Sequence, residues 1–164
     1  GRNGGHQGSP SQLTSPSGAG VDFYGTFEHT IDGKGRLVMP SMFRSAFEGG
    51  GVAAMVEDYA ALFTTDEWGR YRRKLEDSGQ FTRDDLQWIF SLTSTFTPDA
   101  QNRISLPTKL RDHVGLGKDV TLIGSVRFVA VFPRQEWARR EAAVAAQAAT
   151  GPSIADKFRS LEFL

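Results

Sequence analysis

The sequence has no cysteine, no net charge and few histidines, and each absence limits its possible functions. Without cysteine the chain forms no disulfide and no thiolate metal site. Nineteen Lys and Arg balance nineteen Asp and Glu, so a nucleic-acid surface has to be a local patch. The histidines, His6, His29 and His113, fall in different predicted elements. We therefore expect neither a metal site nor a cofactor.

Long hydrophobic runs are also absent. No apolar run approaches the ~18 residues of a membrane span, and no secretory signal is recognisable. We therefore expect a soluble, cytoplasmic protein without a membrane partner. Residues 1–20 are small and polar apart from Leu13, and we expect them to be disordered because they cannot bury enough apolar surface to offset the entropy of ordering. The rest of the chain, which is 39% hydrophobic as a whole, can bury a core.

One ten-residue stretch is present twice in altered form. The first copy is Ile31–Pro40 and the second is Pro98–Pro107. Each has an aspartate before a polar turn, an arginine after it, a short apolar strand and a final proline. In the first turn, Gly33 and Gly35 permit the positive φ angles that a tight turn needs.

The order of the predicted elements repeats as well. Each half predicts a strand, a turn, a short strand, a short helix that begins at the proline, a hairpin and a longer helix. Matched positions include Asp32/Asp99, Arg36/Arg103, Pro40/Pro107, Arg44/Arg111, Phe63/Phe132 and Trp68/Trp137. This agreement indicates an internal duplication of a β-turn-β-helix-β-β-helix unit.

The limits of the parts follow from these patterns. We expect a disordered tail at residues 1–20, a first unit at 21–80, a connecting helix at 81–93, a second unit at 94–149 and a C-terminal tail at 150–164. Within these parts we expect a strand face with Phe23, Phe27 and Ile31. A helix should follow from Pro40 to about Glu48, with Met42, Phe43, Ala46 and Phe47 on its apolar face. We also expect hairpin strands at 52–56 and 60–63, a helix capped by Thr64 or Thr65, and a capping box of Thr82 with Asp85.

These residues resemble the MraZ family, bacterial regulators with two fused AbrB-type units. The resemblance covers about residues 23–148. The matching residues are Asp32-Gly33-Lys34-Gly35-Arg36-Leu37 with Pro40 and Phe43-Arg44, and then Asp99 to Ile104 with Pro107. It departs at Asn102, where the family has glycine, and asparagine tolerates the left-handed region well enough for the turn to form.

The resemblance implies both a fold and a function. The implied fold is α+β, with tandem duplicated AbrB-type swapped-hairpin β-barrel units, each a small double-psi-like barrel, and peripheral helices. The implied function is that of a transcriptional regulator rather than an enzyme, nucleoid-associated, which binds short direct repeats of double-stranded DNA upstream of a division and cell-wall gene cluster as a ring-like homo-oligomer.

The candidate DNA-binding residues lie in and after the two turns. They are Lys34, Gly35, Arg36, Asn102 and Arg103, with Arg44 and Arg111 as additional contacts to the DNA backbone. Arginine suits bidentate contact with guanine or phosphate, and lysine suits phosphate. Two or three cations per unit support only weak binding, so specific binding calls for several units on a repeated site.

Other interpretations stay open on the sequence alone. A single such turn is also typical of an ordinary hairpin with solvated charges, and the second arginine favours function over that interpretation. A structural oligomerising or partner-protein-binding module of AbrB-type fold, without DNA contact, is the alternative. A hydrolytic enzyme is disfavoured because no histidine, serine or metal set accompanies Asp32 and Asp99, which we expect to form the turns.

Overall fold

Strand pairing joins the two halves of the chain into one structure. The computed structural model describes residues 21–162, so the predictions for residues 1–20 and for Phe163 and Leu164 lie outside it. The strands of the described range are β1 (Thr26–Thr30), β2 (Arg36–Val38), β3 (Gly51–Val56), β4 (Tyr59–Thr64), β5 (Ser94–Phe96), β6 (Arg103–Ser105), β7 (Asp119–Gly124) and β8 (Val129–Pro133). Its α-helices are α1 (Thr65–Asp77), α2 (Arg83–Ser91), α3 (Thr108–Val114), α4 (Arg134–Thr150) and α5 (Ile154–Arg159).

Six strands form an antiparallel sheet in the order β1-β7-β8-β4-β3-β5, and β2 and β6 form a separate antiparallel ribbon. The first strand of the first half, β1, pairs with β7 of the second half. The first strand of the second half, β5, pairs with β3 of the first half. Each half therefore completes the sheet of the other, and neither half has all its strand pairings alone.

One hydrophobic core is shared between the halves. The Phe23 ring meets the edge of Phe43 at a centroid distance of 5.0 Å and stacks on Phe47 at 5.4 Å. Phe23 and Ile31 are fully or almost fully buried and Phe27 is partly buried, which confirms that the three side chains face the core, although Phe23 and Ile31 lie outside β1 in isolated bridges. Second-half members of the same core include Ile104, Leu106, Leu110, Leu122 and Val131.

The predicted hairpin and helix caps are confirmed. Strands β3 and β4 pair from Gly51↔Thr64 to Val56↔Tyr59. The Thr64 hydroxyl accepts a hydrogen bond from the Glu67 backbone N–H at 3.3 Å and caps α1. Thr82 and Asp85 form the reciprocal capping box that begins α2.

The segment after Pro40 differs from its prediction. It forms two 3-10 turns, Ser41–Phe43 and Ser45–Phe47, because its backbone N–H groups bond to carbonyls three residues earlier. Phe43 and Phe47 are buried as predicted, but Met42 is 66% exposed. The prediction that Met42 lies on the apolar face is wrong, because its side chain is exposed while those of Phe43 and Phe47 are buried.

The α+β class is confirmed, but the barrel is not. The short strands β2 and β6 pair with each other, and β1 and β5 stay at opposite edges of the sheet. A single bridge, Ile31↔Leu37, links the start of the ribbon to the end of β1. The pairings of residues 21–162 therefore do not close a barrel, because the edge strands β1 and β5 do not pair with each other and the ribbon strands β2 and β6 pair between themselves.

The C-terminal tail, for which no element is predicted from the sequence, contains α5. Its apolar side chains Ile154 and Phe158, with Leu161 just after it, are exposed. Among the helices of residues 21–162, none is long and apolar enough to cross a membrane.

Candidate functional site

The first turn is organised by the carboxylate of Asp32. Its Oδ1 accepts hydrogen bonds from the backbone N–H groups of Lys34 and Arg36, each at 2.9 Å. Its Oδ2 accepts from the Nε of Arg36 at 2.8 Å. The backbone N–H of Gly35 bonds to the Asp32 carbonyl and closes the turn. Asp32 thus forms the turn, as predicted, and orients the arginine that follows it.

The second turn repeats these contacts atom by atom. Asp99 Oδ1 accepts from the backbone N–H groups of Gln101 and Arg103, each at 2.9 Å, and Oδ2 accepts from Arg103 Nε at 2.8 Å. Asn102 has a φ of 59°, close to the 78° of Gly35. The asparagine therefore adopts the left-handed conformation that the resemblance to the first turn requires.

The ribbon of β2 and β6 brings the two turns into one surface element. Leu37 lies opposite Ile104 at its centre, and both side chains are buried, at 0% and 1% exposure. Because successive residues of a strand point to opposite faces, their neighbours point to the other, solvent-facing side. The ribbon is antiparallel, so the two turns lie at its opposite ends.

The solvent-facing side of the ribbon carries both arginines. Arg36 lies opposite Ser105, and Arg103 lies opposite Val38. Arg36 and Arg103 are therefore diagonal neighbours, a spacing of roughly 7–8 Å that long side chains can bridge. We call this surface of four residues the ribbon face. Arg36 and Arg103 also line one surface groove beside β5.

Sequence reasoning found the two arginines but missed Val38 and Ser105 between them. Val38 is 44% exposed and forms the centre of the ribbon face with Ser105. The signal that could have suggested the pairing of β2 with β6 is that both are three-residue strands at matched positions of a duplicated chain. The register was not readable, because each strand has just one buried position to define it.

The free donors of the two turns differ. Asp32 engages the Nε of Arg36, and both terminal nitrogens of Arg36 make no hydrogen bond within residues 21–162. The Nη2 of Arg103 donates to the Gln101 side chain at 3.3 Å. Lys34 is exposed and makes no hydrogen bond or ion pair through its side chain in the same range. The first turn therefore presents more unengaged donors than the second.

The two additional candidates, Arg44 and Arg111, have different surroundings. Arg111 is partly buried and donates to the Leu106 carbonyl and to the Thr108 hydroxyl, both at 3.0 Å. Arg44 is exposed between the two 3-10 turns. Their predicted contacts with a DNA backbone stay predictions.

The remaining charged groups do not form a second candidate site. Two of the basic side chains on α1 form ion pairs, Arg70 with Glu67 at 2.9 Å and Arg72 with Glu76 at 3.2 Å. No group of three or more His, Asp or Glu within residues 21–162 is placed to hold a metal ion.

Hydrogen bonds lower the pKa of both turn carboxyls. The backbone N–H of Arg36 is the main cause for Asp32 and that of Arg103 for Asp99, and the guanidinium groups add to the effect, whereas desolvation opposes it. A pKa lowered by folding stabilises the folded state above the ordinary value of 3.8, and this stabilisation is lost as the pH falls through and below that value.

We therefore expect Asp32→Asn to reduce the loss of stability on acidification. Asparagine still accepts the two backbone hydrogen bonds through its Oδ1, although it loses the bond from Arg36 Nε, and it does not titrate. Urea unfolding at pH 6 and at pH 3 should show a smaller difference for the variant than for the wild type. Asp22→Asn is the matched control, because Asp22 belongs to neither turn. Equal pH dependence of Asp32→Asn and wild type would contradict the role of this carboxyl.

Comparison with known proteins identifies the family. The family model described as "MraZ protein, putative antitoxin-like" matches twice, at residues 23–86 and 89–157. The chain belongs to the MraZ family. The two matches also confirm the internal repeat that was inferred from the matched turns.

Relatives in the MraZ family align with most of the chain. The protein named "Transcriptional regulator MraZ" of Thermomicrobium roseum is 33% identical over 143 residues, which cover 85% of this chain and 99% of the relative. Its namesake from Corynebacterium efficiens is 33% identical over 141 residues, 83% of this chain and 99% of the relative. That of Mycolicibacterium smegmatis is 33% identical over 119 residues, 70% of this chain and 83% of the relative.

Proposed function

We propose that this MraZ-family protein is a sequence-specific transcriptional regulator that binds double-stranded DNA with its ribbon face and the two turns beside it. Arg36 and Arg103 contact bases or phosphates, and Lys34 contacts phosphate. Gly35 and Asn102 let the turn backbones approach the duplex. The observation that carries the proposal is the placement of both arginines on one exposed face of a two-stranded ribbon.

The dimensions and chemistry of the ribbon face support this proposal. The major groove of B-DNA admits a two-stranded β-ribbon, and several families of regulators read DNA in this way. Each arginine is oriented by an aspartate through its Nε, so its outer nitrogens are pre-oriented for a bidentate contact. The names of the relatives, all transcriptional regulators, support the same class of function.

The small charge of the ribbon face leads to the second part of the proposal. The two arginines of the ribbon face and Lys34 beside it are offset by the two turn aspartates, and so few charges give weak binding to any single site. We therefore propose that several copies of the chain assemble, as a ring-like homo-oligomer, on short direct repeats in a promoter of division and cell-wall genes. Linked copies gain affinity because each bound copy raises the local concentration of the next.

The direct test is the affinity of the full chain for duplex DNA. Fluorescence anisotropy would compare a labelled duplex of short direct repeats with a scrambled duplex of the same composition, over a series of salt concentrations. We expect preference for the repeats and affinity that falls steeply with salt. A protein that binds neither duplex at low salt would contradict the proposal and leave the oligomerising or partner-binding module as the function.

Lys34→Ala should make this salt dependence shallower. Each lost phosphate contact lowers the slope of log affinity against log salt by about 0.9. Arg73→Ala is the matched control, because Arg73 is an exposed cation on α1, away from the ribbon. An unchanged slope for Lys34→Ala would remove Lys34 from the contact surface.

A further inference from the structure

In each half, the backbone carbonyl that follows the ribbon strand accepts a hydrogen bond from a side chain, but the side chain differs between the halves. Met39 and Leu106 follow the two ribbon strands at equivalent positions, and their N–H groups donate to the Asn102 carbonyl at 2.9 Å and to the Gly35 carbonyl at 3.0 Å. The Leu106 carbonyl also accepts from Arg111 Nε at 3.0 Å. The Met39 carbonyl instead accepts from the side-chain amide of Asn102 at 3.1 Å.

A turn can have the asparagine hydrogen bond or the arginine hydrogen bond, but not both. The guanidinium of Arg111 packs so closely over Gly35 that a Cβ on this glycine would lie 2.7 Å from Nη2. The equivalent residue of the other turn, Asn102, has a Cβ and is buried, with 7% exposure. An arginine therefore folds over the glycine turn, and the asparagine turn leaves no such space for one.

The arginine displaced in this way is Arg44. It follows Met39 by five residues, as Arg111 follows Leu106, and Ser41 stands where Thr108 supplies the hydroxyl that Arg111 bonds. Arg44 is exposed and its side chain makes no hydrogen bond or ion pair within the described residues. Its guanidinium is thus available to a ligand, whereas that of Arg111 is engaged by its own chain.

The displacement compensates for a missing charge at the second turn. Counted from the turn aspartates, Lys34 is equivalent to Gln101, which carries no charge. Met39 bonds to the second turn through both its N–H and its carbonyl, so the segment that leads to Arg44 is held at that end of the ribbon. Each end then has its turn arginine and one unengaged cation, Lys34 or Arg44.

We propose that Asn102 is a positioning residue that releases Arg44 to contact a DNA phosphate, and that Arg111 has a structural role. The contact with phosphate rests on the proposed function. The other part does not: either the Asn102 amide or the Arg44 guanidinium donates to the Met39 carbonyl, and we call this alternative the exchange. The exchange separates the two additional candidates that the sequence left equal.

Two single variants test the assignment of the arginines. Arg44→Ala should lower the salt slope of DNA binding by about 0.9 and leave the melting temperature unchanged, and Arg44→Lys should restore the slope. Arg111→Ala should lower the melting temperature, because two hydrogen bonds are lost, and leave the slope unchanged. The reverse pattern, with the slope lowered by Arg111→Ala alone, would overturn the assignment.

Asn102→Gly tests the positioning role. Glycine opens the space in which Arg44 folds back to the Met39 carbonyl, so the slope should fall to that of Arg44→Ala. The double variant Asn102→Gly/Arg44→Ala should have the same slope but a lower melting temperature than Asn102→Gly. A wild-type slope in Asn102→Gly would show that Asn102 does not control Arg44.

The melting temperatures distinguish this proposal from the proposed function. If the wild type binds no DNA, the phosphate contact is wrong together with the function, and the exchange is still decided by the stability measurements. Arg44→Ala should lower the melting temperature in the Asn102→Gly background but not in the wild type. An equal effect of Arg44→Ala in both backgrounds would overturn the exchange.

Discussion

Replacement of Arg36 by alanine is expected to weaken the binding of repeat DNA by about ten- to a hundredfold, since one good bidentate contact contributes about 1–3 kcal/mol. The reason is geometric. Asp32 holds the Nε of Arg36 at 2.8 Å and leaves both terminal nitrogens to the solvent side of the ribbon. Anisotropy with the direct-repeat duplex at constant salt measures the effect.

Three controls separate this effect from a loss of structure. Arg103→Ala should weaken binding less, because Gln101 already engages one terminal nitrogen of Arg103. Arg36→Lys keeps the charge but loses the bidentate geometry, so its affinity should lie between those of the wild type and Arg36→Ala. The melting temperature should change little, because an exposed ion pair contributes about 0–1 kcal/mol. Wild-type affinity of a folded Arg36→Ala would show that this residue does not contact DNA.

Leu37→Ala is expected to lower the free energy of unfolding by about 2–5 kcal/mol, the range for truncation of a buried leucine. Leu37 is fully buried and lies opposite Ile104, at the point where the halves meet in the ribbon. Its loss therefore removes packing from both halves at once. Urea unfolding at fixed protein concentration measures the change, since self-association would otherwise alter the apparent stability.

Val38→Ala is the matched control for this truncation. Val38 follows Leu37 in the same strand but points to the exposed side of the ribbon. Its replacement should change the free energy of unfolding by less than about 0.5 kcal/mol, as for most surface positions. A similar small effect of Leu37→Ala would contradict the packing of the ribbon on the shared core.

Local chemistry explains which parts of the fold could be predicted. The turns at Asp32 and Asp99 are defined by an aspartate that bonds nearby N–H groups, and the helix starts at Thr64 and Thr82 by side-chain caps. These interactions span at most four residues, so the sequence displays them directly. The duplication made the turns recognisable, because the aspartate turn occurs in both halves.

Long-range pairings could not be predicted in the same way. The pairing of β1 with β7 and of β2 with β6 joins residues far apart in the sequence, and nothing in the short strands specifies the partner. The packing of the Arg111 guanidinium over Gly35 depends on the pairing of β2 with β6. The sequence consequently placed Arg36 and Arg103 correctly, directly after their turns, but did not predict that they share one surface.

The domain limits remain a prediction, with one physical constraint. Because β1 and β5 each pair with a strand of the other half, a fragment that ends near residue 80 would lack the partners of β1 and β2. The unpaired strand edges of such a fragment would be exposed to aggregation. Experiments on DNA binding therefore need the full chain.

The central claim, that the ribbon face meets DNA, is tested most directly by photocrosslinking from a single cysteine. The chain has no native cysteine, so Val38→Cys can be labelled uniquely between the two arginines without loss of a charge. Val144→Cys on α4 is the matched control, with 46% exposure against 44% for Val38. We predict crosslinks to repeat DNA from position 38 and none from position 144. Crosslinking from position 144 alone, with wild-type affinity in both variants, would contradict the claim.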